Sequence, residues 1–332
     1  MKLSKRQTQE IIKGSTILGT GGGGRLDSAL SVIEKLAPPN LISFDNLNPD
    51  DIVITAYGAG GLTKPKSTTK AMVKGLNLLQ QRLGKPIKAI VPVEIGPYSL
   101  AAAFEIAAQL DVPVVDGDLV GYRSVPEIYI ELVTLADLSR CPLVFGNNEG
   151  DTVLLDETSS PERLEQIIRS FADESVSNTF VLGYPYSKIE LDKCLAKNSV
   201  SYCQKVSSVL DVDFQFVGSG TVIKDVKEEV DGFTKGYIQV ADSETTFKVE
   251  FKNEYLVLLK NEEVTVTCPD FICIVDQATG LGLNNGEENT GKQVSIYVRP
   301  ALGQWRTKQG LALFSPGKLG LDYQQKVLEQ SQ

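Results

Sequence analysis

The chain of 332 residues contains no histidine. That absence excludes Ser-His-Asp and Cys-His nucleophilic catalysis, histidine-ligated zinc, and any side chain that titrates near neutrality without a perturbed pKa. Acid–base chemistry here falls to carboxylates, lysine, tyrosine or cysteine with shifted pKa values, or to metal-bound water. Cysteine is scarce too: Cys141, Cys194, Cys203, Cys268 and Cys273 are odd in number and form no CxxC. Neither a disulfide framework nor a zinc ribbon is signalled, and buried thiols are expected. No apolar run approaches the roughly 20 residues that span a bilayer, and the N-terminus leads into a polar helix rather than a signal segment. A cytoplasmic protein without a membrane partner is expected. The net charge of -9 argues against a nucleic-acid partner, which would require phosphate-neutralising cations.

What is present is enough apolar sequence, 42%, for more than one core. We read two domains, 1–200 and 201–332. In the first, residues 5–13, 26–36 and 68–83 have helical polarity, with Leu26, Leu30, Ile33 and Leu36 on one face. Short β-rich runs at 41–44, 52–56, 89–93 and 112–115 lie between them. Apolar strands alternating with helices imply a layered α/β domain with a mostly parallel sheet. An alanine-rich helix is expected at 98–110, a strand and turn at 141–155, and a helix start at Ser160-Pro161. Ser187 and Glu190 form a capping box for a helix to about residue 197. From 211 to 298 the pattern shifts to period two, with Phe247, Val249 and Phe251 set against Thr246, Lys248 and Glu250. That pattern implies an all-β, barrel-like or sandwich domain. The last stretch, 304–323, carries Trp305 and is expected to return to the first domain.

Three constellations could carry chemistry. Gly19-Thr20-Gly21-Gly22-Gly23-Gly24 is literally GxGxxG, with Asp45 about twenty residues on, as in a dinucleotide fingerprint. A helical pattern rather than a full strand precedes it, however, and Arg25-Leu26 stand where a Walker motif has Lys-Ser/Thr. The physics that survives is that consecutive glycines permit positive φ and bring backbone N–H groups to a ligand anion or carbonyl. The plain alternative is a tight turn between helices. The second constellation is Asp116 and Asp118 with Glu127, behind the strand at 112–115 and with Arg123 between. It reads as an acid–base pair or an oxygen-ligated metal site, or else as an Asx-turn and helix cap with a surface ion pair. The third is Glu94, at the end of another apolar run, a site residue or a cap for the helix that follows. In a parallel sheet Glu94 and Asp116 leave on the same edge, where open α/β sheets bind ligands. Asn147, in the polar loop 147–151, is a ligand contact or part of a turn. Cys268 and Cys273, an odd number apart, face opposite sides of a strand.

Several segments together resemble the S-methyl-thiohydantoin desulfurase family, long catalogued as a domain of unknown function with a hydantoinase association. They are residues 18–24, Glu94-Ile95-Gly96, 113–118 with Gly121 and Pro126-Glu127, 269–276, Trp305-Arg306-Thr307 and 315–320. The resemblance runs nearly end to end. It implies an α/β N-terminal domain, a β-barrel-like C-terminal one, and hydrolytic removal of sulfur from a thiohydantoin ring or a related attack of water on a cyclic amide. It also gives Asp116, Asp118, Glu127 and Glu94 the status of site residues. The chain departs from the family pattern at 60–66, and by one extra residue between Gly121 and Pro126.

The expected function is therefore a hydrolase acting on a small cyclic amide or thioamide by carboxylate- or metal-assisted attack of water. A divalent metal ion is left open as cofactor, a small molecule is the expected partner, and a homo-oligomer is expected. In that reading Gly19, Thr20, Gly21, Gly22, Gly23, Gly24, Arg123 and Asn147 contact substrate. The competing readings are a nucleotide-dependent oxidoreductase using the glycine run and a non-catalytic small-molecule binding protein.

Overall fold

A computed structural model describes all residues except 61–63, 65, 66 and 330–332. The divergent segment at 60–66 therefore lies largely outside the described residues. Helix α1 (Lys5–Leu18) begins at Ser4, whose hydroxyl accepts the Gln7 N–H while the Gln7 side chain closes the capping box. It runs past the polar stretch visible in the sequence, because its second half, with Ile11, Ile12, Ile17 and Leu18, is buried in the core and Ser15 and Thr16 return their hydroxyls to the preceding turn.

There follow α2 (Leu26–Ile33), β1 (Leu41–Ile42), β2 (Ile52–Ala59), α3 (Thr69–Leu83), β3 (Ile87–Ile90), α4 (Pro97–Leu110), β4 (Val114–Val115) and β5 (Gly117–Asp118). Next come α5 (Leu132–Leu135), β6 (Leu143–Gly146), β7 (Thr152–Leu155), α6 (Pro161–Glu174), β8 (Thr179–Tyr186), α7 (Lys188–Leu191), β9 (Ala196–Lys197), α8 (Ser199–Cys203) and α9 (Leu210–Asp213). The first sheet has the order β1-β4-β3-β2-β8-β6-β7. Its first four strands pair in parallel, whereas β8 runs antiparallel to both β2 and β6. Since β7 also opposes β6, all strands but β8 and β7 point the same way, and the sheet is mixed but mostly parallel.

The second sheet uses β10 (Gln215–Val230), β11 (Phe233–Ala241), β12 (Thr246–Lys252), β13 (Glu254–Lys260), β14 (Glu263–Thr267), β15 (Phe271–Asp276) and β16 (Gln293–Arg299). It is antiparallel, in the order β14-β13-β12-β11-β10-β16-β15, and curls into a half-barrel. The alternation in β12 is the expected one: Phe247, Val249 and Phe251 point into a core with Ile238, Val240, Ile272 and Ile296.

The capping box at Ser187 forms, but its helix stops at Leu191 rather than reaching residue 197. Ala196 and Lys197 pair instead with Asp118 and Gly117, and backbone committed to a ladder cannot also be helical. The two sheets share apolar contacts, since Leu256, Val257 and Leu259 of β13 pack with Val53, Tyr57 and Val91 of the first sheet. The C-terminal stretch joins them. The Trp305 indole donates to the Val120 carbonyl at 2.7 Å. Asp270, fully buried, holds Arg306 through both oxygens at 2.7 and 2.9 Å and accepts the Ala301 and Leu328 amides. All five cysteines are free, four of them buried, and Cys268 and Cys273 point into different cores. Among the described residues no helix is long and apolar enough to cross a membrane.

Candidate functional site

Helix α1 delivers the chain directly to Gly19, so no strand leads into the glycine turn and the dinucleotide fingerprint lacks its context. Gly21, Gly23 and Gly24 have φ of 88°, 65° and 80°, values that glycine alone tolerates cheaply. The carbonyls of the turn are tied down. Gly21 accepts the Asn285 N–H at 2.8 Å, Gly22 and Gly24 accept Asn284 Nδ2 at 3.1 Å, and Gly23 accepts the Tyr98 N–H at 3.0 Å. The amides of Gly22, Gly23 and Gly24 have no acceptor among the described residues. Side chains are excluded by contact as well: a Cβ on Gly23 would lie 2.7 Å from the Gly96 Cα, and one on Gly22 would collide with Glu254 Oε1. The turn is thus wedged between the start of α4 and the β12–β13 hairpin, the Gly21 amide bonded to the Leu283 carbonyl at 2.7 Å, the carbonyls of Gly21 to Gly24 used and the amides of Gly22, Gly23 and Gly24 unengaged among the described residues.

Parallel pairing of β3 with β4 sends the chain out on one sheet edge after both strands, as the sequence implies for Glu94 and Asp116. Glu94 is partly buried. Ser99 Oγ donates to its Oε1 at 2.7 Å and the Val125 amide to its Oε2 at 3.0 Å. Burial above all, with the Asp118 charge adding to it, nevertheless pushes its carboxyl up to about 7. Across from it stands Glu254, the first residue of β13, 4% exposed, with Oε2 buried and lacking a hydrogen-bond partner. Burial, then the Glu94 charge, pushes this carboxyl up to about 8, against the pull of Ser124 and Arg123.

The two carboxyls line one cleft of about 70 Å³, bounded also by Gly23, Gly24, Gly58, Tyr98, Arg169 and Asn253. Arg169 is held on α6 by Glu165 at 2.7 Å and donates to the Pro126 carbonyl at 3.0 Å. A recess of about 50 Å³ continues past Pro126 to Glu127 and Glu131. Glu131 pairs with Arg140 at 2.7 Å and accepts Tyr184 Oη at 3.1 Å, yet burial still pushes it up to about 7. On its other face the glycine turn walls a larger cavity of about 310 Å³, with Asp276, Thr279, Glu287 and Lys292.

Of the residues singled out in the sequence, the structure brings Gly23, Gly24 and Glu94 into this cleft, and Glu127 into its recess. Glu127 is paired there with Lys252 of β12. Gly22 meets the Glu254 carboxyl from the side of the larger cavity, and the remaining candidates stand apart from the cleft. Asp118 is fully buried and accepts the backbone amides of Val120, Gly121 and Tyr122 at 2.7, 2.5 and 2.9 Å, which leaves it shaping the 118–122 turn. Asp116 accepts the Ser201 amide at 2.9 Å, at the start of the short helix α8. Arg123 is buried, donating to the Pro269 carbonyl at 2.5 Å with its guanidinium over Phe271 and Phe314. Asn147 closes a turn on Asp151 and Ser175. Gly19 lines the larger cavity, Gly21 packs on the backbone of Asn253 and Glu254, and Thr20 shares its hydroxyl with β15.

Sequence reasoning missed Glu254. The available signal is a glutamate opening the run Tyr255-Leu256-Val257-Leu258-Leu259, since an acid at the edge of an apolar strand on both faces has no solvent side to occupy. Among the described residues no three carboxylate or thiol side chains converge in a metal-holding group. The donor set therefore does not fit a metal centre built from three or more such side chains.

Residues 6–157 match the family described as S-Me-THD-like, N-terminal domain, and residues 159–328 match S-Me-THD-like, C-terminal domain. No curated protein matches the chain. The crystal structure of a protein from Chromobacterium violaceum superposes with a TM-score of 0.83 at 17% identity, covering 99% of each chain. At that identity the likeness is one of fold.

Proposed function

Given that the chain belongs to the S-Me-THD-like family over both of its domains, we propose that it hydrolyses a small S-methyl-thiohydantoin-type ring, with Glu94 and Glu254 as its acid–base pair. The observation that carries this reading is the raised pair itself: two carboxyls, at about 7 and about 8, facing one ring-sized cleft. Between those values the pair holds a single proton, so one member is a base and the other an acid near neutral pH. In a protein without histidine, this is how acid–base chemistry reaches neutrality.

The ionised carboxylate takes a proton from water as the C–O bond forms at the ring carbon bearing sulfur, and its partner protonates the ring nitrogen. On collapse of the tetrahedral adduct, the hydroxyl proton returns to the deprotonated partner. The C–S bond breaks and the first carboxyl gives its proton to the departing thiolate. Water's two protons end on the ring nitrogen and on methanethiol, and the pair recovers its single proton. The unengaged amides of Gly23 and Gly24 are the donors available to charge developing at the adduct. Ser99 and the Val125 amide fix the orientation of Glu94.

A cleft of this size suits a five-membered ring and is far below the several hundred Å³ of pockets for larger ligands. Nucleotide-dependent redox chemistry is accordingly the weaker reading. Incubating the protein with an S-methyl-thiohydantoin and following methanethiol with a thiol-reactive dye tests the proposal. Stoichiometric thiol and hydantoin support it, and an absence of thiol release, or tight binding of NAD or NADP, would overturn it.

A further inference from the structure

A further cavity, of about 400 Å³, shares no lining residue with the carboxyl cleft. It lies between Tyr122, Tyr202, Phe271, Arg299, Leu302 and Trp305. Its floor is unusual for a chain of net charge -9. Arg299 and Arg123 flank Phe271, with guanidinium carbons 5.6 and 5.2 Å from the ring centre. Arg299 also lies 4.6 Å from the Phe214 ring and 5.8 Å from Tyr122.

A guanidinium has five N–H donors in a planar fork. Among the described residues those of Arg299 meet the Tyr122 carbonyl at 3.4 Å and the Tyr202 hydroxyl. Among the described residues no carboxylate forms an ion pair with it. Asp213, the acid on the cavity wall, already accepts Tyr202 Oη at 2.5 Å. Among the described residues Arg123 donates to the carbonyls of Ser124 and Pro269. Burial lowers the pKa of both arginines, and the Arg299 charge adds to this at Arg123, which falls to about 10. Glu254 and Asp270 lie near Arg123 and Asp213 near Arg299, but among the described residues none forms an ion pair with either guanidinium, and a desolvated cation gains from an anion placed directly on its fork.

We propose that this cavity binds a small planar carboxylate, its anion on the Arg299 fork and its apolar body against Tyr122, Tyr202 and Leu302. A planar fork matches a carboxylate through two parallel hydrogen bonds, and the aromatic walls favour a flat organic body over an inorganic anion.

Benzoate, benzamide and inorganic phosphate serve as probes, titrated calorimetrically into wild type, Arg299→Gln, Arg299→Lys and Leu302→Trp. Benzoate is expected to bind at one site at least tenfold more tightly than benzamide or phosphate. Arg299→Gln removes that preference, Arg299→Lys keeps part of it, and Leu302→Trp, which fills the cavity without touching the charge, abolishes binding of both aromatic probes. Glu254→Gln in the other cleft leaves benzoate binding unchanged. Saturation absent at about 10 mM, a weak limit for a fragment, would overturn the proposal. So would equal affinity for benzamide, phosphate binding at least as tight as benzoate, or benzoate affinity unchanged in both Arg299→Gln and Leu302→Trp.

Discussion

Replacing Glu254 by glutamine should make the protein more stable in alkali and far less active. The side chain is buried against Gly22, and glutamine keeps its shape while removing the ionisable proton. An unfolded chain releases that proton near 4.5, whereas the folded protein keeps it until about 8. Between those values the native state binds more protons than the unfolded one, so stability falls as pH rises. The stabilisation is complete below about 4.5, is lost progressively across the window, and is gone above about 8. At ~1.4 kcal/mol per pH unit the full span corresponds to an upper value of roughly 5 kcal/mol, part of it owed to the Glu94 charge. Urea denaturation at pH 5 and pH 9 should therefore show wild type losing several kcal/mol more than Glu254→Gln on going alkaline. In the same variant kcat/KM for methanethiol release should drop by about 10²- to 10⁴-fold, the usual contribution of a general acid or base. Parallel stability–pH curves for the two proteins would refute the raised carboxyl, and an unchanged rate would refute its role.

Other variants separate the cleft from the scaffold. Wild-type kcat/KM should give a bell-shaped pH profile with limbs near 7 and 8, belonging to the coupled pair rather than to either residue, and Glu94→Gln should abolish one limb. Gly22→Ala places a methyl on Glu254, and turnover measured beside thermal unfolding should fall at least tenfold with a smaller stability loss. Asp118→Asn replaces the acceptor of three buried amides, and a loss of about 1–3 kcal/mol in urea should come with the Glu94 limb of the pH profile displaced downward, since the Asp118 charge that helps raise it is gone, while turnover at its optimum is kept. Asp270→Asn breaks the buried pair with Arg306 at about 3–5 kcal/mol, and its turnover per folded molecule, measured at low temperature, should match wild type.

The layering was legible because apolar strands and amphipathic helices alternate in the text, and the half-barrel because β12 reads in period two. The extent of α1 was not, since Ser15 and Thr16 look like strand or turn residues until their hydroxyls are seen to bond to the preceding carbonyls. The early end of the helix after Ser187 was equally hidden, because it depends on pairing with β5 from some eighty residues upstream. For the site, Glu94 and the glycine turn were found from local chemistry: an acid at a strand end and a run of residues without side chains. Asp116 and Asp118 look the same by that criterion, and only the backbone amides around them show that both Asp118 oxygens are occupied and that Asp116 receives the Ser201 amide. Glu254 comes from the other half of the chain, and no spacing rule links it to Gly22. Their meeting is a product of how the two sheets pack.

The most direct measurement of the paired-carboxyl claim is methanethiol release from an S-methyl-thiohydantoin at pH 7.5, compared among wild type, Glu94→Gln, Glu254→Gln and the double variant. Two groups sharing one proton act as a unit, so the double variant should lose little more than either single one. Turnover near wild type in either single variant, or losses that multiply in the double, would contradict a shared-proton pair.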